Sequence, residues 1–192
     1  MRRITLISAA VTLMTVGLVA CGGSDDDRSP VVTVPVGDTL ALTASGKIVS
    51  FNRATPATLV GSVGVRGLGD GESLVGIDVR PADAQVYGVS NTGRVYVIAP
   101  STGAATLKST LAADATDTTA PFTALTGTSF GVDFNPVADR LRVVSNTGLN
   151  LRINVDTGAT TTDGTLALAG SRAERHRRAA PDSGYCQASV RC

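Results

Sequence analysis

Tryptophan is absent from this chain and aromatic residues make up only 4% of it. A stacking platform for sugar rings or nucleic-acid bases is therefore poorly supplied. Histidine occurs once, as His176, and the three cysteines are Cys21, Cys186 and Cys192. Nothing between them is cysteine, which excludes a disulfide framework and a cysteine-based zinc site in the body of the protein. Residues 21–170 carry ten Lys/Arg against fourteen Asp/Glu. That mildly acidic balance argues against a nucleic-acid partner. No GxGxxG run, P-loop or metal-spaced His cluster is present, so no cofactor is expected. No segment after the N-terminus sustains a helical period either.

The N-terminus itself is distinctive. Arg2 and Arg3 precede an apolar run from Ile4 to Val19, closed by Leu18-Val19-Ala20-Cys21. The run is short for a membrane span and reads as a cleaved export signal over residues 1–20. Its ending resembles a bacterial lipobox, which implies acylation of Cys21 and a polar tether over residues 21–29. An ordinary secretory signal with an incidental cysteine is the other reading. The expected location is the bacterial cell envelope (the outer membrane if there are two membranes, given Gly22) or the secreted fraction. The expected partners are a membrane, through the lipid anchor, and a protein or small-molecule ligand that the sequence does not specify.

What the chain has in abundance is repetition. Leu74 to Thr106 aligns without a gap on Ser129 to Thr161, 55 positions later. Short β-prone runs alternate with turn residues, so the fold class is all-β, with propeller-like repeats of four-stranded antiparallel units. Strands are expected at Leu74–Val79, Gln85–Ser90, Arg94–Ile98 and Ala104–Leu111. The second copy places them at Ser129–Phe134, Arg140–Ser145, Leu149–Asn154 and Ala159–Leu168. Ser-Asn-Thr-Gly at Ser90–Gly93 and Ser145–Gly148 suits a tight hairpin, with Asn bonding its own backbone and Gly left-handed. A weaker copy at Leu40–Phe51 sets Gly46 where Gly93 stands. Pro30–Val36 reads as an edge or lead-in strand. About two and a half to three blades result over residues 30–170, short of a closed ring. Residues 171–192 are Arg-rich and match no repeat position. They read as a basic tail, disordered or translated in a shifted frame.

Candidate chemistry is sparse. Gly127-Thr128-Ser129-Phe130-Gly131 spells a nucleophile elbow, but a β-type run follows the serine where a helix is required. Asp78 and Asp133 occupy equivalent positions. They could face a central channel and act on a cation or as an acid–base pair, or bond turn amides within each blade. Arg140, Arg142 and Arg152 could grip an anion or form a solvated face, with Arg140 and Arg142 pointing the same way. Asp25 to Asp27 lie on a tether too flexible to hold calcium.

Taken together, Gly131-Val132-Asp133-Phe134-Asn135-Pro136, Asp139 to Gly148, Asn150 to Asn154 and Asp156-Thr157-Gly158 resemble domain-of-unknown-function family 4394. Leu74 to Pro81 and Gln85 to Gly88 resemble that family's preceding motif. The resemblance spans about Leu40 to Leu168 and implies secreted or surface proteins with a propeller-like repeat and no assigned activity. The expected function is surface binding or scaffolding. A hydrolase or lyase with a carboxylate site at the channel mouth is the alternative, and a truncated fragment without function is the third.

Overall fold

The computed structural model describes residues 31–166, and among these every regular element is a strand. The twelve strands form three sheets. The first contains β1 (Thr39–Leu42), β2 (Lys47–Phe51) and β3 (Leu59–Gly64). The second runs β4 (Leu74–Val79), β5 (Val86–Ser90), β6 (Arg94–Ala99) and β7 (Ala104–Thr110). The third is β9 (Phe130–Asn135), β10 (Arg140–Ser145), β11 (Asn150–Ile153) and β12 (Ala159–Thr162). A two-residue strand, β8 (Ala112–Ala113), runs parallel to β12 on its outer side. All pairings within the three meanders are antiparallel. The protein is thus an all-β, propeller-like array of three blades.

The blades stack face to face, and burial follows their order. In the third blade Leu141, Val143, Leu151 and Ile153 are fully buried while the intervening Arg142 and Arg152 are not. That alternation is the period of a sheet covered on one side. In the middle blade every residue of β5 is buried, because neighbours cover both of its faces. One core joins Tyr87, Val89 and Val95 of the second blade to Phe134, Leu141, Val143, Leu151 and Ile153 of the third. A smaller core joins Ile48 and Leu40 of the first blade to Ile77, Val86, Tyr96 and Ile98 of the second.

The joints repeat with the blades. Gly46, Gly93 and Gly148 all have positive φ, at 72°, 80° and 89°. Each sits at the end of a hairpin turn, and each offers its carbonyl to the chain that leaves the blade. Val65 N–H donates to Gly46 at 3.1 Å, Leu111 N–H to Gly93 at 2.8 Å and Leu166 N–H to Gly148 at 2.9 Å. The leaving chain then lies along the outer strand of the next blade. Arg66 N–H donates to the Gly103 carbonyl at 2.9 Å, and Ala112 N–H donates to Gly158 at 3.0 Å. The copy beginning at Leu40 is therefore a genuine repeat, but among the described residues it has no innermost strand like β4 and β9.

Two local expectations are corrected. Asn91 and Asn146 do not bond their own turns. Asn91 Oδ1 accepts from Ser73 N–H at 3.1 Å, and Asn146 Oδ1 accepts from Thr128 and Ser129 at 3.0 and 3.3 Å. Each thus fastens the start of the innermost strand, because the side chain reaches further than its own loop. The extended run before β1 pairs as no strand over residues 31–36. Pro35 withholds a donor, and Val34 N–H donates to Ser101 in the second blade at 2.8 Å.

Candidate functional site

The two repeated carboxylates sit on the innermost strands, and their surroundings differ. Asp78 lies half-buried on β4, and its Oδ2 accepts from the N–H of Phe134 on β9 at 2.7 Å. The bond crosses from one blade to the next, reaching a strand amide rather than a turn amide. Asp133 is exposed on β9 and meets no hydrogen-bond donor among the described residues. Between the two strands packing is close: a Cβ placed on Gly76 would lie 2.4 Å from Val132 Cγ2. Glycine is required there by the approach of the neighbouring strand.

A cationic clamp lies beside this contact. Arg80, at the end of β4, binds Asp139 through Nε at 2.8 Å and Nη2 at 2.6 Å. Its Nη2 also reaches Asp156 at 2.9 Å, and Lys108 Nζ lies 2.8 Å from the other oxygen of Asp156. The guanidinium lies 5.8 Å from the centre of the Tyr87 ring, which packs edge-on to Phe134 at 5.4 Å. Hydrogen bonds to Asp139 and Asp156 hold the Arg80 pKa well above its ordinary value. Reciprocally, Arg80 lowers Asp139, while Lys108 and Arg80 lower Asp156. Arg80 also lies 3.4 Å from Asp83 of its own blade, so two cations face three carboxylates, and the bonds from Arg80 to Asp139 and Asp156 fasten the second blade to the third.

Glu72 organises the lead into β4. Its side chain is only 2% exposed. It accepts from Gly69 N–H at 2.9 Å and from the hydroxyls of Tyr96, Thr92 and Ser90, with Arg94 Nη1 at 3.5 Å. Burial pushes the carboxyl up, but the bonds from Thr92, Tyr96 and Gly69 and the charge of Arg94 outweigh it and hold the pKa at about 2. Neither Arg80 nor Glu72 was marked by the sequence pattern, since the partners of Arg80 come from the next blade and those of Glu72 from other segments of its own blade.

Arg140, Arg142 and Arg152 share the outward face of the third blade, as the register Arg142↔Asp133 and Arg142↔Arg152 requires. Arg142 and Arg152 both hold Asp163, at 2.5 and 2.9 Å, and Arg142 Nη1 also donates to Asn150 Oδ1 at 2.6 Å. Arg140 Nη1 donates to the Asp139 carbonyl at 3.0 Å. The nucleophile-elbow serine, Ser129, immediately precedes β9, so no strand-to-helix turn presents its hydroxyl. Cys21 and His176 lie outside the described residues, as do the signal, the tether and the basic tail. Among the described residues no group of three metal-ligating side chains converges.

Where the first blade lacks an innermost strand, a cavity of about 440 Å³ opens between β1 and β4. Gly37, Thr39, Leu40, Ile77, Asp78 and Val79 are among the residues that line it.

The family model described as Domain of unknown function (DUF4394) matches residues 47–186. The chain belongs to that family. The DUF4394 match runs from the start of β2 through all three sheets and ends inside the basic segment rather than at Gly170. No curated protein matches the chain. The solved structure of BamB from Moraxella catarrhalis aligns at 14% identity and a TM-score of 0.33, over 67% of this chain. The aligned part spans 35% of that protein's length, and no functional argument follows from a likeness at that score.

Proposed function

We propose that the chain is an exported protein, anchored by lipid at Cys21, that serves as a binding or scaffolding module. The observation that carries this reading is the use made of its charged side chains. Asp78 is committed to the Phe134 amide, and Arg80, Asp139 and Asp156 to one another. These side chains join one blade to the next, Arg142 and Arg152 close on Asp163 beside their own sheet, and Asp133 stands exposed. Among the described residues the array leaves open a strand edge, a sheet face and the loops of a rigid frame, which are the parts through which such scaffolds bind. Several acyl chains on one residue would hold it at a membrane surface.

Two measurements test this. Metabolic labelling with palmitate should mark the chain in a bacterial host, and Cys21→Ser should abolish the label. Persistence of the label in that variant refutes anchoring at Cys21. A panel of ester, glycoside and uronide substrates should show no turnover. Turnover that disappears in folded Asp78→Asn and Asp133→Asn variants replaces the binding reading with a hydrolase or lyase.

A further inference from the structure

The second and third blades define what the cavity in the first blade lacks. In both, an innermost strand pairs with the second strand of its own blade and packs on the innermost strand of the neighbour. The two strands share the pattern Gly-apolar-Asp-apolar: Gly76-Ile77-Asp78-Val79 and Gly131-Val132-Asp133-Phe134. Each part of the pattern has a physical role. Glycine admits the β-branched side chain of the next blade, since a Cβ on Gly76 would meet Val132. Aspartate accepts the next blade's amide, as Asp78 does from Phe134.

The receiving half of that contact is present on the near side of the second blade, without its donor among the described residues. Ile77 and Val79 stand where Val132 and Phe134 stand in the third. Yet Val79 is 43% exposed, whereas Phe134 is 4% exposed. Beside them β1 has a free edge. Thr43 N–H donates to Lys47 across the hairpin at 2.9 Å. By the alternation of an antiparallel ladder, Leu40 and Leu42 turn their main-chain groups away from β2, toward the cavity. The extended run that precedes β1 is held to Ser101 at Val34 and forms part of the cavity wall through Val36, Gly37 and Asp38, leaving the volume itself open.

We infer that the groove between β1 and β4 is an acceptor for an extended Gly-apolar-Asp strand supplied by another polypeptide. The docked strand adds to the β1 edge, its glycine faces Ile77, and its aspartate accepts the Val79 N–H. Main-chain pairing provides affinity, and the glycine and aspartate provide selectivity. The occupant is continuous in geometry with the β4–β9 contact already built into the protein. A strand of this repeat type from a second protein is the partner it fits.

This rests on, and sharpens, the binding-module reading. The test uses the full chain and a fluorescein-labelled peptide of the β9 sequence, Ser129–Pro136. Titration followed by anisotropy should saturate. Peptides with Gly131→Val or Asp133→Ala should each bind at least tenfold more weakly. In the chain, Val79→Pro removes the receiving N–H and should erase the difference between the Asp133 and Asp133→Ala peptides. If that variant fails to fold, amide exchange on the unaltered chain replaces it, with protection by the peptide expected at Leu40, Leu42 and Val79. No binding at millimolar peptide, equal binding of the altered peptides, or protection confined to another blade overturns the inference. Such a failure leaves the palmitate and substrate-panel results standing, so the two readings fall separately.

Discussion

Replacing Asp78 with alanine removes the carboxylate that accepts the Phe134 amide at 2.7 Å. The same change at Asp133, its equivalent one blade on, removes a side chain with no donor among the described residues. The repeat thus supplies its own control, with identical chemistry in the same strand position. A hydrogen bond to an ionised acceptor contributes about 1.5–3 kcal/mol. Asp78 is half-buried, so a loss of about 2 kcal/mol is expected for Asp78→Ala. For Asp133→Ala the change should stay within about 0.5 kcal/mol. Asp78→Asn keeps an acceptor but loses its charge, and should fall between them, at about 1 kcal/mol. Urea unfolding can be followed by tyrosine fluorescence, since Tyr87 and Tyr96 are 1% and 2% exposed. Amide exchange gives the local readout. The Phe134 N–H should exchange up to about thirtyfold faster in Asp78→Ala. Equal losses at the two positions, or a larger loss at Asp133, would refute the claim that this carboxylate joins blades.

Two other outcomes follow from the geometry. Glu72→Gln should cost about 1–2 kcal/mol, because the amide keeps the bonds to Gly69 and Tyr96 but not the charge. The Glu72 pKa lies below its ordinary 4.5, so its contribution is complete above that pH and fades as pH falls toward about 2. Acid titration of stability should therefore be shallower in Glu72→Gln across that window, and an unchanged slope refutes the assignment. The second concerns glycines. Gly93 and Gly158 both have φ of +80°, but a Cβ on Gly158 would lie 2.0 Å from the Thr110 carbonyl oxygen, whereas on Gly93 the nearest atom is 3.7 Å away. Gly93→Ala should cost about 1–2 kcal/mol of backbone strain, and Gly158→Ala clearly more. Equal melting temperatures for the two variants would contradict the contact.

The blades were legible because local chemistry repeats. Alternation and the Ser-Asn-Thr-Gly turns place β4 and β10 at their observed bounds and most other strands of the two copies within a residue, but β12 stops at Thr162 where a run to Leu168 is expected, as Asp163 turns to Arg142 and Arg152. The first blade was half visible: Gly46 betrayed its hairpin, but β3 went unread because Leu59–Gly64 carries two glycines and no turn signal like its counterparts. Some of the longer spacing of the second repeat comes from residues 111–129, where β8 pairs with β12 and Asp117 accepts from Thr162 at 2.9 Å. Asp78 was visible as a repeated residue, but its partner was not. A carboxylate that reaches an amide 56 residues away leaves no pattern along the chain. Arg80 and Glu72 escaped for the same reason, and so did the missing strand. Its place is defined only by the plan that the three blades share in space.

The way the blades are joined has a consequence for how such arrays diversify. Asp78 is received by a peptide N–H, and the leaving chain of each blade is received by a peptide carbonyl at Gly46, Gly93 or Gly148. The N–H of Phe134 imposes little identity on the residue that bears it, whereas the three carbonyl receivers are all glycine because their backbone is left-handed, not because a carbonyl is needed. Only proline is barred where an N–H must be given. The demands along this array are therefore uneven: glycine is held where the backbone turns left-handed, while valine or leucine serves equally as the residue that gives the N–H there. Copies could part company in most of their letters and still interlock.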